Sequence, residues 1–144
     1  MICITDGLIV VHTVLRNVVS HVEKMLPNLE KMEDVQALAH MVEDLLSQHG
    51  EAEDQLLYVT LNHTLAEIGQ LEQMQQEHKE LDNRLAKVFA AADVKVARRE
   101  LKAVIGFSRR HFDHEEKVVF PIARHHVSEA ALKSIGACRY AATA

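Results

Sequence analysis

Hydrophobic residues recur along this chain at alternating steps of three and four positions, which is the spacing of one buried face of an α-helix. Four such stripes follow one another, and five glycines and two prolines are few enough to leave them long. The predicted helices cover about residues 6–26, 31–61, 62–92 and 93–127. Thr5 or Asp6 is expected to cap the first helix, and Asp93 is expected to cap the fourth.

Long helices joined by short loops predict an all-α fold, an up-down-up-down four-helix bundle with a short C-terminal helix. Pro121 should kink the fourth helix because it removes a backbone donor, and Ser128 can cap the short final helix. A chain of 144 residues suits one core. We therefore expect a single domain over 1–144, with the bundle at about 6–127 and the short helix and tail at 128–144.

The composition limits the kinds of partner that we expect this chain to bind. The formal net charge of −5 argues against nucleic acid or an anionic membrane as the main partner. No apolar run approaches the roughly 18 residues of a membrane span, and no secretory signal is recognisable. Cys3 and Cys138 form no disulfide framework, so a reducing cytoplasm is expected. Ten histidines are an unusually high number for this length.

Polar residues interrupt the hydrophobic stripe of the fourth predicted helix. His111 and Glu115 are four positions apart, so they share one helix face, and that face is the one directed at the core. A buried carboxylate is rare unless it is paired, because an isolated buried charge is very costly. Something must therefore compensate Glu115, and a metal ion is one candidate.

The same pattern occurs twice. Residues 49–61 align with residues 111–123, so that His49 and Glu53 match His111 and Glu115. A single histidine also lies on the stripe of each remaining helix, at 12 and at 78, and antiparallel packing places all of these positions at one height. Each half of the chain thus has one lone histidine, a turn, and then a His-xxx-Glu pair. Such a repeat predicts a frame for two equivalent metal ions.

Four histidines and two carboxylates suit iron, manganese or zinc better than magnesium or calcium, which prefer oxygen ligands alone. The candidate metal ligands are His12, His49, Glu53, His78, His111 and Glu115. Two alternatives stay open. The histidines and glutamates of a non-catalytic bundle could merely pair with one another in an interaction module without metal. Haem could also lie between two histidines, although that would leave both glutamates unexplained.

Four segments, 11–16, 49–58, 77–81 and 111–121, resemble the hemerythrin-like, or HHE cation-binding, domain family. The resemblance covers nearly the whole bundle. It implies a left-handed bundle holding a non-haem di-iron centre, with the six candidates as ligands and both glutamates bridging two iron ions. It also implies a protein that binds or reduces dioxygen, peroxide or nitric oxide, or that senses iron or oxygen. A weak peroxide- or oxygen-reducing activity is one form of that function.

The sequence departs from the oxygen-carrying members in two places. The carriers have a second histidine on the third helix where this chain has Met74, and their last carboxylate comes one residue later, at the position of Glu116. The missing histidine favours peroxide turnover or sensing over reversible oxygen carriage. Glu77, Glu116 and His114 are candidates to supply a ligand in its place, or to support the ligands from outside. Storage, sensing and catalysis stay open at this stage, as does the oligomeric state.

Overall fold

A computed structural model describes residues 3–58, 61, 66 and 69–126. Its α-helices are α1 (Ile4–Met25), α2 (Met32–Glu53), α3 (Gln70–Phe89), α4 (Val94–His114) and the short α5 (Phe120–His126). Within these ranges no residue belongs to a β-strand, and α4 packs against α1, α2 and α3. The predicted all-α four-helix bundle is confirmed. The final helix predicted from Ser128 lies outside the described residues.

Two helix boundaries differ from the prediction. Cys3 occupies the N-cap position of α1, two residues before Thr5 and three before Asp6, and no side chain caps that helix. The third long helix was expected from about residue 62, but α3 begins only at Gln70, because Gly69 turns the chain with a φ of 75°. Glycine adopts this left-handed conformation without the strain that a β-carbon would cause. The expected cap of α4 is confirmed, since the Asp93 carboxylate accepts a hydrogen bond from the Val96 amide at 2.9 Å.

The core consists of two apolar clusters with a polar layer between them. The larger cluster includes Leu15 and Leu101, and the smaller one includes Leu8 and Val119. α1 and α3 contribute residues to both clusters, whereas α2 and α4 contribute only to the larger one and the segments that follow them contribute to the smaller one. The polar candidates lie between the two clusters. The clusters are thus separated at the height where the candidate ligands lie.

Two segments of π-helix interrupt the regular helices next to this layer. Asp54–Tyr58 follows α2, and Glu115–Val119 connects α4 to α5. In the second segment the Phe120 amide bonds to the Glu115 carbonyl, five residues back. Pro121 follows this segment directly, where an irregularity was predicted, but the first segment contains no proline. The feature common to both is the adjacent buried glutamate, and π-helical turns are frequent at functional sites.

Along the stretches that the structure describes, no helix is both long enough and apolar enough to cross a membrane.

Candidate metal centre

The six candidate ligands meet in the layer between the apolar clusters. Five of them are buried, and His78 is half-buried, with 22% of its side chain exposed. Each helix of the bundle contributes at least one: His12 comes from α1, His49 and Glu53 from α2, His78 from α3 and His111 from α4, while Glu115 begins the second π-helical segment.

One group of potential ligand atoms belongs to His12, His49, Glu53 and Glu115, all within 4.8 Å of one another. The Nε2 atoms of His12 and His49 are 2.8 Å apart. His12 Nε2 lies 3.4 Å from Glu115 Oε1 and 3.9 Å from Glu53 Oε1, and the His49 Nε2 pairs closely with the same Glu53 oxygen. We call this group position one.

A second group consists of His78, His111 and Glu115 and forms position two. The Nε2 atoms of the two histidines are 3.2 Å apart, and His111 Nε2 lies 3.1 Å from Glu115 Oε1. Glu115 is therefore shared by the two groups, whereas Glu53 belongs to position one alone. That both glutamates bridge two ions stays a prediction.

Several buried polar atoms of the layer have no hydrogen bond of ordinary geometry, although histidine nitrogens lie close to some of them. They include both carboxylate oxygens of Glu53 and the Oε1 atom of Glu115, although neither residue is exposed at all. Leaving such atoms unsatisfied costs about 1–3 kcal/mol each, and more when they are charged. A cation among them would supply the missing interaction, so this set of donors fits a metal ion.

The two glutamates respond differently to their surroundings in the metal-free protein. Burial and the neighbouring Glu115 charge raise the pKa of Glu53 well above its ordinary value. Burial would also raise the pKa of Glu115, but hydrogen bonds with Glu53, His111 and His12 hold it well below that value. The metal-free layer therefore keeps a proton on Glu53 and a negative charge on Glu115, and a cation would displace that proton.

The two histidines of position two differ in the direction of their pKa shifts. Burial would lower the pKa of His111, but the nearby carboxylates of Glu115 and Glu77 raise it to about 10. Burial and the neighbouring His111 lower the pKa of His78. His78 is thus neutral and has a lone pair to offer, while His111 must release a proton before it can bind a cation.

The layer is closed on one side and accessible on the other. The His12 ring stacks on Phe112 and Phe120, with ring centroids 4.5 and 5.5 Å apart. A cleft of about 250 Å³ between α2 and α3 reaches His49, Glu53, His78 and His111. A neighbouring cleft of about 440 Å³ reaches His78 beside Tyr58 and Met74. Small ligands can therefore approach position two directly.

Tyr58 has a role that the sequence did not reveal. It lies in the smaller apolar cluster. Its hydroxyl also donates a short hydrogen bond to Oε2 of Glu115. Burial and the charges of Glu115 and Glu53 raise the Tyr58 pKa, so the hydroxyl keeps its proton. The alignment of Tyr58 with Phe120 was the only available signal, because it shows that one half of the repeat carries an additional hydroxyl.

The candidate replacement ligands lie outside both groups. Glu77 accepts a hydrogen bond from His114 Nδ1 at 2.8 Å and lies 3.6 Å from His111 Nδ1. Glu116 forms a short ion pair with Arg16. Met74 is 1% exposed and packs in the smaller apolar cluster. These positions suit supporting and packing roles, with Glu77 and Glu116 next to ligand histidines.

The sequence pattern also predicts that His21, His40 and His63 lie at the surface or in loops. His21 and His40 are exposed, and His40 stacks on Phe89 with centroids 4.3 Å apart. His63 lies outside the described residues.

The fold and the layer together define a class of protein: an all-helical bundle with a buried histidine–glutamate cluster that could hold metal cations. The family model of the hemerythrin HHE cation-binding domain matches residues 3–123, which is most of the chain. The chain therefore belongs to the hemerythrin HHE cation-binding domain family, as the resemblance predicted. No curated protein and no solved structure matches it.

Proposed function

We propose that this chain is a cytoplasmic non-haem di-iron protein that binds dioxygen, hydrogen peroxide or nitric oxide, and that peroxide turnover is its main reaction. The observation that carries the proposal is the pair of fully buried glutamates with unsatisfied oxygens, surrounded by the Nε2 atoms of four histidines. A mixed set of imidazole and carboxylate ligands suits iron, with manganese and zinc as competitors.

The residues divide into two positions that share one carboxylate. His12, His49 and Glu53 would hold the first ion, and His78 and His111 the second, with Glu115 between them. We propose that Glu53 would serve as a second shared carboxylate beside Glu115. Tyr58 fixes the Glu115 carboxylate through Oε2 and leaves Oε1 toward the histidines.

Iron supplies the redox chemistry of oxygen species when it is bound. The protein's own groups control access and protons. The clefts beside α3 admit a small ligand to His78, whereas Phe112 and Phe120 exclude water from the His12 side. Tyr58 donates a hydrogen bond from its hydroxyl to Oε2 of Glu115, next to position two. In the proposed reaction two molecules of hydrogen peroxide give two of water and one of dioxygen, so no other reductant is required.

The environment of Met74 supports turnover over oxygen carriage. A thioether is a poor ligand for iron, and Met74 packs among apolar side chains one helical turn from His78. Position two therefore lacks the further histidine of the oxygen carriers, and it is also the more accessible position. An open and accessible position favours reaction of a bound ligand over its intact release.

A metal-free interaction module is the second candidate. The contacts of His49 with Glu53 and of His111 with Glu115 favour it, because each His-xxx-Glu pair can satisfy part of its own charge. The second oxygen of Glu53 opposes it, since the contact with His49 involves Oε1 and leaves the buried Oε2 without a hydrogen bond.

Metal analysis followed by a reaction test separates the two candidates. Protein from iron-replete cells, or protein loaded anaerobically with ferrous iron, is expected to hold close to two iron ions per chain. It should release dioxygen from hydrogen peroxide, as measured with an oxygen electrode. The exposed Asp44→Asn on α2 is the matched control and should behave like the unmodified chain. Fewer than one metal ion per chain would contradict the proposal, and two ions without dioxygen release would refute the reaction.

A further inference from the structure

Each of the two buried glutamates of the layer is followed in the sequence by a second acidic residue. Asp54 follows Glu53, and Glu116 follows Glu115. Asp54 Oδ1 lies 3.6 Å from Nδ1 of His78, and Glu116 Oε1 lies 3.8 Å from Nδ1 of His12. Each acidic residue thus approaches the lone histidine that belongs to the opposite half of the repeat.

The orientation of the two histidine rings indicates what these contacts can do. In both rings Nε2 points into the layer, where it faces another ligand histidine, and Nδ1 points outward to the carboxylate. A carboxylate beside Nδ1 favours the tautomer with its proton on that atom, which leaves the Nε2 lone pair free for a cation. The distances are a few tenths of an ångström beyond a hydrogen bond, so a small adjustment of either side chain forms one.

The two acidic residues differ in how firmly they are held. Glu116 is 24% exposed, and its other oxygen is paired with Arg16, which also donates a hydrogen bond to Asp113 at 3.0 Å. Asp54 is 60% exposed and lines the clefts. Its interaction with His78 is therefore more strongly screened by solvent than that of Glu116 with His12.

We propose that Glu116 and Asp54 are a matched pair of positioning residues, each of which holds the lone histidine of the opposite half with Nε2 toward its metal ion. The proposal rests on the proposed metal function and adds to it how the halves depend on each other. The acid from the second half serves position one, and the acid from the first half serves position two. Losing one acid should therefore weaken one position selectively.

Glu77 extends the same arrangement to His111, since its Oε1 atom lies 3.6 Å from His111 Nδ1. This contact lacks a counterpart in the sequence of the first half, because Val11 occupies the position before His12 that Glu77 occupies before His78. The acids at 54 and 116 are therefore the pair that the repeat preserves.

Cobalt(II) is a suitable probe because it leaves the imidazole N–H protons of bound histidines visible as strongly shifted, exchangeable proton resonances. We would load the full chain and its Glu116→Ala and Asp54→Ala variants, and titrate each with a competing chelator. Glu116→Ala is expected to weaken one of two cobalt ions by about 10–100-fold and to speed solvent exchange of one N–H resonance. Asp54→Ala should weaken the other ion by a smaller factor and affect a different resonance.

Two sets of variants serve as controls. Glu116→Gln and Asp54→Asn retain a carbonyl acceptor, so they should restore part of the affinity and slow the exchange again, which a purely structural role would not explain. Lys117→Ala and Asp44→Ala are exposed neighbours on the same elements and should change neither readout.

The outcomes separate this inference from the function on which it rests. If the unmodified chain binds neither cobalt nor iron, the proposed function and the inference both fall. If it binds two ions and both alanine variants keep the same affinities and N–H resonances, only the inference is overturned.

Discussion

The two halves of the bundle place corresponding residues at the two candidate metal positions, but in different environments. At position one, His12 is fully buried and lies beside Phe120, with ring centroids 5.5 Å apart. At position two, His78 is half-buried and lies beside Tyr58, 6.1 Å between centroids, at the edge of an open cleft. A duplicated site can therefore divide its tasks between its two positions. We expect position one to hold its ion tightly and position two to exchange ligands.

The two halves of the repeat differ at single corresponding positions, which lie near His78 or near the neighbouring His111. Met74 corresponds to Leu8, Glu77 to Val11, and Tyr58 to Phe120. The first exchange keeps the position apolar. The second adds a charge near His111, and the third adds a hydroxyl that reaches the shared glutamate.

Glu115→Leu should have the largest effect, because it removes the carboxylate that both positions share. We expect iron binding at both positions to be lost, and the comparison between them to disappear with it. The variant should also leave the Tyr58 hydroxyl and the charged His111 without their acceptor, costing about 3–5 kcal/mol of metal-free stability. Iron content and urea unfolding measure these effects, and Asp44→Asn is the control. Retention of one tightly bound ion would show that position one does not depend on Glu115.

Removal of metal should have the next largest effect. Binding to the folded state alone stabilises a protein by mass action, by about 2.7 kcal/mol when free metal exceeds its dissociation constant 100-fold. We therefore expect a chelator to lower the thermal midpoint by several degrees. The Glu115→Leu variant should not respond to the same chelator. An equal midpoint with and without iron in the unmodified chain would contradict this prediction.

The pH dependence of the metal-free protein should reveal position two. The raised pKa of His111, about 10, means that the folded state holds this proton more tightly than the unfolded chain does. Its stabilising contribution is complete below the ordinary value of 6.5 and is lost as the pH rises from there through about 10. The raised pKa of Glu53 acts in the same direction from a lower pH, whereas the lowered pKa of His78 acts in the opposite direction below 6.5.

We expect the metal-free chain to lose about 1–3 kcal/mol between pH values of about 6 and about 9.5, allowing for partial solvent screening. Urea unfolding in chelator at the two pH values measures this loss. His111→Gln should abolish most of it, and the exposed His21→Gln should leave it unchanged. A free energy of unfolding that rises with pH would refute the assignment.

Met74→His should make position two resemble the closed position of an oxygen carrier. Without metal, an imidazole among apolar neighbours is expected to cost about 1–3 kcal/mol. With iron, a further ligand near His78 should slow peroxide turnover and favour reversible oxygen uptake, tested by repeated release under vacuum. Met74→Leu keeps the position apolar and should change stability by less than about 1.5 kcal/mol. Identical oxygen behaviour in the two variants would show that the missing histidine is not the cause.

Exchanging the aromatic pair should have the smallest effect on stability and would test the asymmetry most directly. Tyr58→Phe removes the donor to Glu115 and should cost about 1 kcal/mol in the metal-free protein. Because the hydroxyl lies at the accessible side, we expect a several-fold change in peroxide turnover at unchanged iron content. Phe120→Tyr adds a hydroxyl beside His12 instead and is the matched comparison. Equal turnover in the unmodified chain and in Tyr58→Phe would remove Tyr58 from the reaction.

The hydrophobic period and the predicted helix lengths were enough to predict the bundle. They were also enough to predict that the six candidate residues lie at one height in it. The sequence did not predict the break at Gly69, since a lone glycine in a long stripe is compatible with a continuous helix. It also missed the contacts of Asp54 with His78 and of Tyr58 with Glu115. Those contacts join residues 24 and 57 positions apart, in different helices, and they depend on packing that a pattern within one helix does not contain.

The widened helical turns allow consecutive residues to serve one site. In a regular α-helix neighbouring side chains diverge by about 100°, so only one of two successive acids would normally face the layer. Here Glu115 enters the layer while Glu116 reaches His12, and the π-helical turn begins between α4 and this pair. The length of that turn therefore decides which acid enters the layer, and gain or loss of a single residue there would change that choice. The one-residue offset between this chain and the oxygen carriers is of that size.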